Sequence, residues 1–204
     1  AFTEKKENDP SALTVWGIFQ NKEGRHRIML VHAWRKHLQF SADRNRIEYL
    51  PRESKAAWRR RTMEHWGLME WVVDTCNRFK VDRLLIEAKA SGISAAQELQ
   101  NRFGLQNWAV QLCPVQGDKV ARALACQPTF SNLMVYAPAR DWADMVIDEM
   151  AVFPKGKYKD LTDSATQAVK HLRESGLAQT DEEMRAVEAI RVMHRPQPKA
   201  LYPV

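Results

Sequence analysis

The motifs that announce the commonest α/β activities are missing from these 204 residues. There is no GxxxxGK[ST] phosphate loop and no GxGxxG, so nothing in the chain binds ATP or a dinucleotide by the usual means. A serine hydrolase is excluded by the lack of a GxSxG elbow. The histidines (His26, His32, His37, His65, His171 and His194) form no HxH or HExxH pair, which argues against zinc. Cys76, Cys113 and Cys126 are an odd number at wide spacing with no CxxC, so the expectation is three reduced, mostly buried thiols in a reducing compartment. No apolar run approaches the roughly 20 residues of a membrane span, and no signal-peptide pattern opens the chain. A soluble, cytoplasmic protein without a membrane partner is expected. The chain starts at Ala1 in a polar stretch, which suggests a piece of something longer.

What is present is an ordinary globular balance, 45% hydrophobic and 27% charged, long enough for one domain with a sizeable core. Lys and Arg number 31 against 25 Asp and Glu, a net +6. The excess is modest evidence for a polyanionic partner. It gathers in Arg25-His26-Arg27, Arg35-Lys36-His37, Arg52 to Arg61, and Lys155-Lys157-Lys159, with Trp34, Trp58, Trp66 and Tyr158 in or beside these clusters. Interleaved base and aromatic suits nucleic-acid contact, and equally a solvated helix face over a core.

Along the chain, Ala12 to Phe19 reads as a strand, Asn21-Lys22-Glu23-Gly24 as a turn and Arg27 to Trp34 as a returning strand. Pro51 to Phe79 has the spacing of one long helix. Val81 to Glu87 reads as a buried strand, Ser91-Gly92 as a turn, Ile93 to Arg102 as a helix, and Trp108 to Leu112 as a strand. A helix from Asp118 to Ala125, a strand from Leu133 to Tyr136 and a helix from Trp142 to Met150 follow. The loop Phe153 to Lys159 precedes a core helix from Asp160 to Arg173. A charged helix from Asp181 to His194, expected to pack on its own domain, and a Pro-rich tail (Pro196, Pro198, Pro203) finish the chain. Hairpin strands first, then alternating strands and helices, define an α/β fold: a mixed central sheet flanked by helices on both faces.

Acids are the candidate chemistry. Glu87 ends a buried strand, where ligands of open α/β sheets bind; it reads equally as the first solvated residue after a core strand. Asp160 and Asp163, three apart at a helix start, share one face, and each would also be favourable there as a cap or first-turn acid. If Glu87, Asp160 and Asp163 converge, they offer the oxygen ligands that Mg²⁺ prefers. Two such ions roughly 3.5–4 Å apart activate water and stabilise the leaving oxygen in phosphodiester cleavage. Lys155, Lys157 and Lys159 beside Asp160, and also Lys89, Lys119 and Arg122, are candidates for contacts to a DNA backbone.

Four segments carry a resemblance. Asn8-Asp9-Pro10-Ser11-Ala12 through Val15-Trp16-Gly17, Ile86-Glu87-Ala88-Lys89-Ala90-Ser91-Gly92, Asp118-Lys119-Val120-Ala121-Arg122-Ala123, and Phe153-Pro154 through Asp160 and Asp163-Ser164 resemble, in order, the C-terminal nuclease domain of tailed-phage terminase large subunits. The likeness implies an RNase H-like, retroviral-integrase-like fold over residues 1–175, with 176–204 as a C-terminal helix and tail. It implies an endonuclease that cuts concatemeric double-stranded DNA with Mg²⁺ or Mn²⁺ at a two-metal site. Glu87 would be the cluster's second acid, and Asp160 and Asp163 its closing pair. Implied partners are double-stranded DNA, an N-terminal ATPase domain of the same protein, the small terminase subunit and the portal, in the host cytoplasm. There are departures: Tyr158-Lys159-Asp160 stands for the family's usual His-Asp-Asp, and Ser164 for alanine. The first-strand aspartate falls about two residues before Ala1; Asp9, the nearest substitute, reads as structural. Two alternatives stay open, a non-catalytic DNA-binding or motor-docking module on the same scaffold, and a transposase- or resolvase-type nuclease.

Overall fold

The computed structural model describes residues 10–114 and 117–194. Asp9 and the Pro-rich tail lie outside the described residues.

Strands β1 (Ser11–Gln20) and β2 (His26–Lys36) form the expected antiparallel hairpin. Its turn is closed by the Asn21 side chain, which accepts from the backbone N–H groups of Glu23 and Arg25, and by Gly24 at φ +74°. The register slips between Val15 and Trp16, where Val15 faces His32 and Trp16 faces Leu30. The extra residue, Val31, flips the side-chain alternation of β2. Ile28, Leu30 and Ala33 therefore share one face, while Trp34 turns to the other.

The excursion after β2 holds a short helix α1 (Arg44–Ile47), α2 (Lys55–Thr62), a 3₁₀ turn (Met63–His65) and α3 (Leu68–Arg78). The single helix expected over Pro51 to Phe79 is thus broken, and the reason is Gly67. It adopts an extended conformation before α3, and a Cβ there would sit 2.6 Å from the Ser41 backbone. Buried Glu70 locks this junction by accepting from the N–H groups of Gly67 and Ala42.

Strand β3 (Arg83–Glu87), α4 (Ala90–Phe103) and β4 (Ala109–Cys113) form a parallel β-α-β unit. Ser91-Gly92, expected as a turn, lies inside the first turn of α4. Helix α5 (Lys119–Ser131) runs six residues past its expected end, through Pro128. Strand β5 (Val135–Tyr136) pairs in parallel with β2. The chain finishes with α6 (Asp141–Val152), α7 (Asp160–Glu174) and α8 (Asp181–Met193).

Among the described residues the strands make a mixed sheet of order β1-β2-β5 and a two-stranded parallel sheet β3-β4. One core cluster joins the two: Leu13, Trp34, Leu84, Ile86 and Val110 pack with Met69, Val72 and Cys76 of α3 and Ala95 and Leu99 of α4. On the other face of the mixed sheet, Leu30 and Ala33 meet Ala143 and Val146 of α6 and Leu161 and Ala165 of α7. Ile28 packs with Cys126 of α5 and Val169 of α7. Each of Ile28, Leu30, Val146, Leu161 and Val169, fully buried, contributes about 1.5–3 kcal/mol. Helices thus cover both faces, as the order of elements required.

Helix α8 departs from expectation. It buries no residue, and Val187, Ile190, Val192 and Met193 are all exposed. What seats it is polar: Asp181 pairs with Arg25 and Arg27, and Glu183 with Arg173. The Leu177-Ala178 link is different, for Ala178 is fully buried against Val169 and Met134. No described helix is long and apolar enough to cross a membrane.

Candidate active site

Glu87 is held at the carboxyl end of β3 by backbone geometry. The Ala88 N–H donates to the Cys113 carbonyl at 2.8 Å, tying the ends of β3 and β4 together. Helix α4 comes so close that a Cβ on Gly92 would lie 2.0 Å from the Glu87 carbonyl oxygen. Only glycine permits that approach.

Asp160 and Asp163 stand in the first turn of α7, favourable for carboxylates at a positive helix end. The position of that helix start is fixed from two sides. Buried Glu149 of α6 accepts from the Thr162 N–H at 2.9 Å and takes Arg35 of β2 at 2.6 Å. The same guanidinium lies 4.0 Å from the centre of the Tyr158 ring, which also carries Lys157 at 5.1 Å. From the other side, the Ser164 hydroxyl accepts from the Thr14 N–H at 3.2 Å and shares a 2.7 Å hydrogen bond with the Thr14 hydroxyl. Tyr158 and Ser164, two of the departures noted in the sequence, therefore serve as anchors.

Helix α5 completes the cluster. Lys119 and Arg122, three apart on one face, both reach Asp163. Arg122 bridges the strand-end acid to the helix-start acid: one Nη lies 3.5 Å from Glu87 Oε1 and the other 3.4 Å from Asp163 Oδ1. Lys89 pairs with the second Glu87 oxygen at 2.7 Å. The Lys119 ammonium pKa is raised, first by its hydrogen bond to Asp163, then by the charges of Asp163, Asp160 and Glu87. Acids from β3 and α7, more than 70 residues apart in sequence, thus share the cations Lys89, Lys119 and Arg122.

Of the predicted acids, Glu87 and Asp163 are joined through Arg122, and Asp160 stands three residues before Asp163 in the first turn of α7. Of the six predicted cations, Lys89, Lys119 and Arg122 pair with Glu87 or Asp163. Lys155, Lys157 and Lys159 are exposed on the loop before α7, next to Asp160. Arg35, Glu149 and Thr14 were not anticipated. One signal could have found Glu149: the buried stripe of α6 runs Ala143, Val146, Glu149, and an acid in an apolar stripe must have partners.

The donor set is carboxylate oxygen, the chemistry that hard divalent cations take. Among the described residues no three carboxylate, imidazole or thiol groups are arranged to hold a metal ion as they stand. Lys119 and Arg122 lie between the acids instead. The Glu87 and Asp163 carboxylates are donors of the type such an ion takes, and here their charge is met by Lys89, Lys119 and Arg122.

The family model described as the terminase RNaseH-like domain matches residues 1–172. The chain therefore belongs to the family of terminase RNaseH-like domains, the C-terminal nuclease domains of phage DNA-packaging terminases. Helix α8 lies beyond the match. No curated protein matches the chain.

Proposed function

We propose that this domain is a divalent-metal-dependent endonuclease that cuts concatemeric double-stranded DNA during genome packaging. The observation that carries the reading is Arg122 bridging Glu87 at the end of β3 to Asp163 at the start of α7, with Lys119 on the same Asp163. Glu87 and Asp163 would hold Mg²⁺ or Mn²⁺, with Asp160 as the further acid and the first-strand aspartate of the family supplying the donor that a two-metal site requires. When bound, the metal supplies Lewis-acid activation of water and of the scissile phosphate. The remaining chemistry belongs to the side chains. Arg122 and Lys119, freed from the acids, turn their charge to the phosphates, and Lys155, Lys157 and Lys159 track the backbone beside α7 without reading sequence. The ATPase domain, the small subunit and the portal are the partners this role requires, in the host cytoplasm.

The test is plasmid nicking with Mn²⁺, using the chain alone and the chain extended upstream to include the first-strand acid. Glu87→Ala and Asp163→Ala in the extended protein should abolish cutting and leave the melting temperature within a few degrees. Unchanged cutting by both variants refutes the assignment.

A second reading, a non-catalytic DNA-binding or docking module, is favoured by the ion pairs that close the acids and by the lack of an assembled cage among the described residues. It predicts salt-sensitive DNA retention with no cleavage under either metal. Strong preference for four-way junctions over linear duplex would instead indicate a resolvase.

A further inference from the structure

Residues 43–62 hold seven Lys or Arg against three Asp or Glu, four of the chain's six net positive charges in a tenth of its length. The segment is not a loose solvated arm. A series of ring contacts runs outward from the core: Trp34 to Trp71 with centroids at 6.3 Å, Trp71 to Trp66 at 5.5 Å, Trp66 to Trp58 at 5.3 Å, and Trp58 to Tyr49 at 4.6 Å. The last pair is nearly parallel, at 7°. The Trp58 indole N–H donates to the Ile47 carbonyl at 2.6 Å, fixing α1 against α2. Arg61 clamps the turn between them through both Glu53 oxygens and the Glu48 carbonyl. Tyr49 therefore presents a ring backed by a rigid aromatic column, and it is 51% exposed.

Around that ring the cations divide by role. Arg59 and Arg61 are spent on Asp74 and Glu53. Arg52, Lys55 and Arg60 are exposed, and no ion pair holds them among the described residues. Arg46 has only a long 3.9 Å approach to Asp43. Arg52 also sits at φ +64°, in a Leu50-Pro51-Arg52-Glu53 turn closed by a 3.0 Å hydrogen bond, at the position that glycine or asparagine fills most easily. Folding stability does not call for arginine there.

We propose that α1, α2 and the turn between them form a second nucleic-acid site, which takes a single-stranded stretch of DNA. Tyr49 stacks a base on its outer face, and Arg46, Arg52, Lys55 and Arg60 hold the flanking phosphates. An exposed π-face backed by cations suits unpaired bases, since a duplex hides the faces of its bases in its own stack. The reading of the carboxylate cluster as a nuclease enters only in the choice of DNA as ligand; strand ends left by cutting are the natural occupants. None of the residues involved belongs to that cluster.

The experiment is fluorescence anisotropy of the whole chain with a labelled oligo-dT of about 12 nucleotides, in EDTA so that no metal takes part. Tyr49→Phe keeps the parent affinity. Tyr49→Leu, which still covers Trp58 but has no π-face, weakens binding about tenfold. The Arg52→Glu, Lys55→Glu, Arg60→Glu triple variant weakens it further and lowers the slope of log K against log salt by about 2. Parent-like affinity in both the Leu and triple variants, with melting temperatures also unchanged, overturns the site. So does an equal-length duplex that binds more tightly than the single strand and is indifferent to Tyr49→Leu. This assay reads binding without metal, and nicking reads the carboxylate cluster, so failure of either measurement leaves the other standing.

Discussion

Arg122 carries the charge balance of the acidic cluster on a side chain that is 14% exposed. Replaced by alanine, it leaves Glu87 and Asp163 facing each other without their shared cation. Losing its charged hydrogen bonds costs about 2 kcal/mol, which for a chain of this size lowers the melting temperature by about 4 °C or more. Mn²⁺ should restore that loss, so the Mn²⁺-induced rise in melting temperature is larger for Arg122→Ala than for the parent. An identical rise in both would mean that the arginine does not compete for the metal position. The thiols give an independent check on the core. Burial pushes the Cys76 thiol up to about 12, and burial raises that of Cys126 as well. A disulfide-exchange reagent applied to the folded chain should titrate no thiol except half-buried Cys113, and all three after denaturation. Rapid labelling of more than one native thiol would contradict the packing around α3 and α5.

At the scale of elements, α7 is the helix whose placement matters most, because it brings two acids to the cluster. Its start hangs on Glu149, whose loss leaves Arg35 and the Thr162 N–H without their acceptor. Glu149→Ala should cost about 3 kcal/mol in denaturant unfolding, while Ser164→Ala, which removes one hydroxyl, should cost about 1 kcal/mol. Equal, small losses would show that the Arg35–Glu149 pair does not position the helix. The hairpin, the β3-α4-β4 unit and α7 were legible in the sequence, because alternation and 3.6-residue spacing report burial directly. The break at Gly67 was not: its cause is the Ser41 backbone, 26 positions earlier, which no local window contains. Gly92 was misread for a different reason: a glycine that turns the chain and one that lets a helix approach Glu87 look alike in sequence. Of the candidate site, the acids were legible as strand-end and helix-start residues. Lys119 and Arg122 were read as contacts to DNA, and their pairing with the acids arises from α5 lying beside α7, a tertiary fact.

Across the whole molecule, charge organises the attachments that burial does not. Helix α8 stays on the domain through Asp181 and Glu183 rather than through an apolar face. Hydrogen bonds from Arg173, then from the Thr180 N–H, hold the Glu183 carboxyl down at about 2. A depressed carboxylate contributes stability that is complete above its unfolded value near 4.5 and is lost as pH falls toward 2. Hydrogen exchange of the α8 amides should therefore be flat from pH 7 to 5, after correction for intrinsic rates, and lose protection below pH 4. Glu183→Gln should shrink that acid step to the part carried by Asp181, whose carboxyl Arg27 and Arg25 also hold down, and weaken α8 protection at neutral pH; a variant with the parent profile would place the anchor elsewhere. The account as a whole depends on carboxylates from β3 and α7 exchanging their basic partners for a divalent ion. A crystal soaked in Mn²⁺, with anomalous density measured around Glu87, Asp160 and Asp163, tests this most directly. The predicted result is a peak bonded to Glu87 and Asp163, with the Lys119 and Arg122 side chains moved off the acids. Density elsewhere, or none while both ion pairs persist, would contradict it.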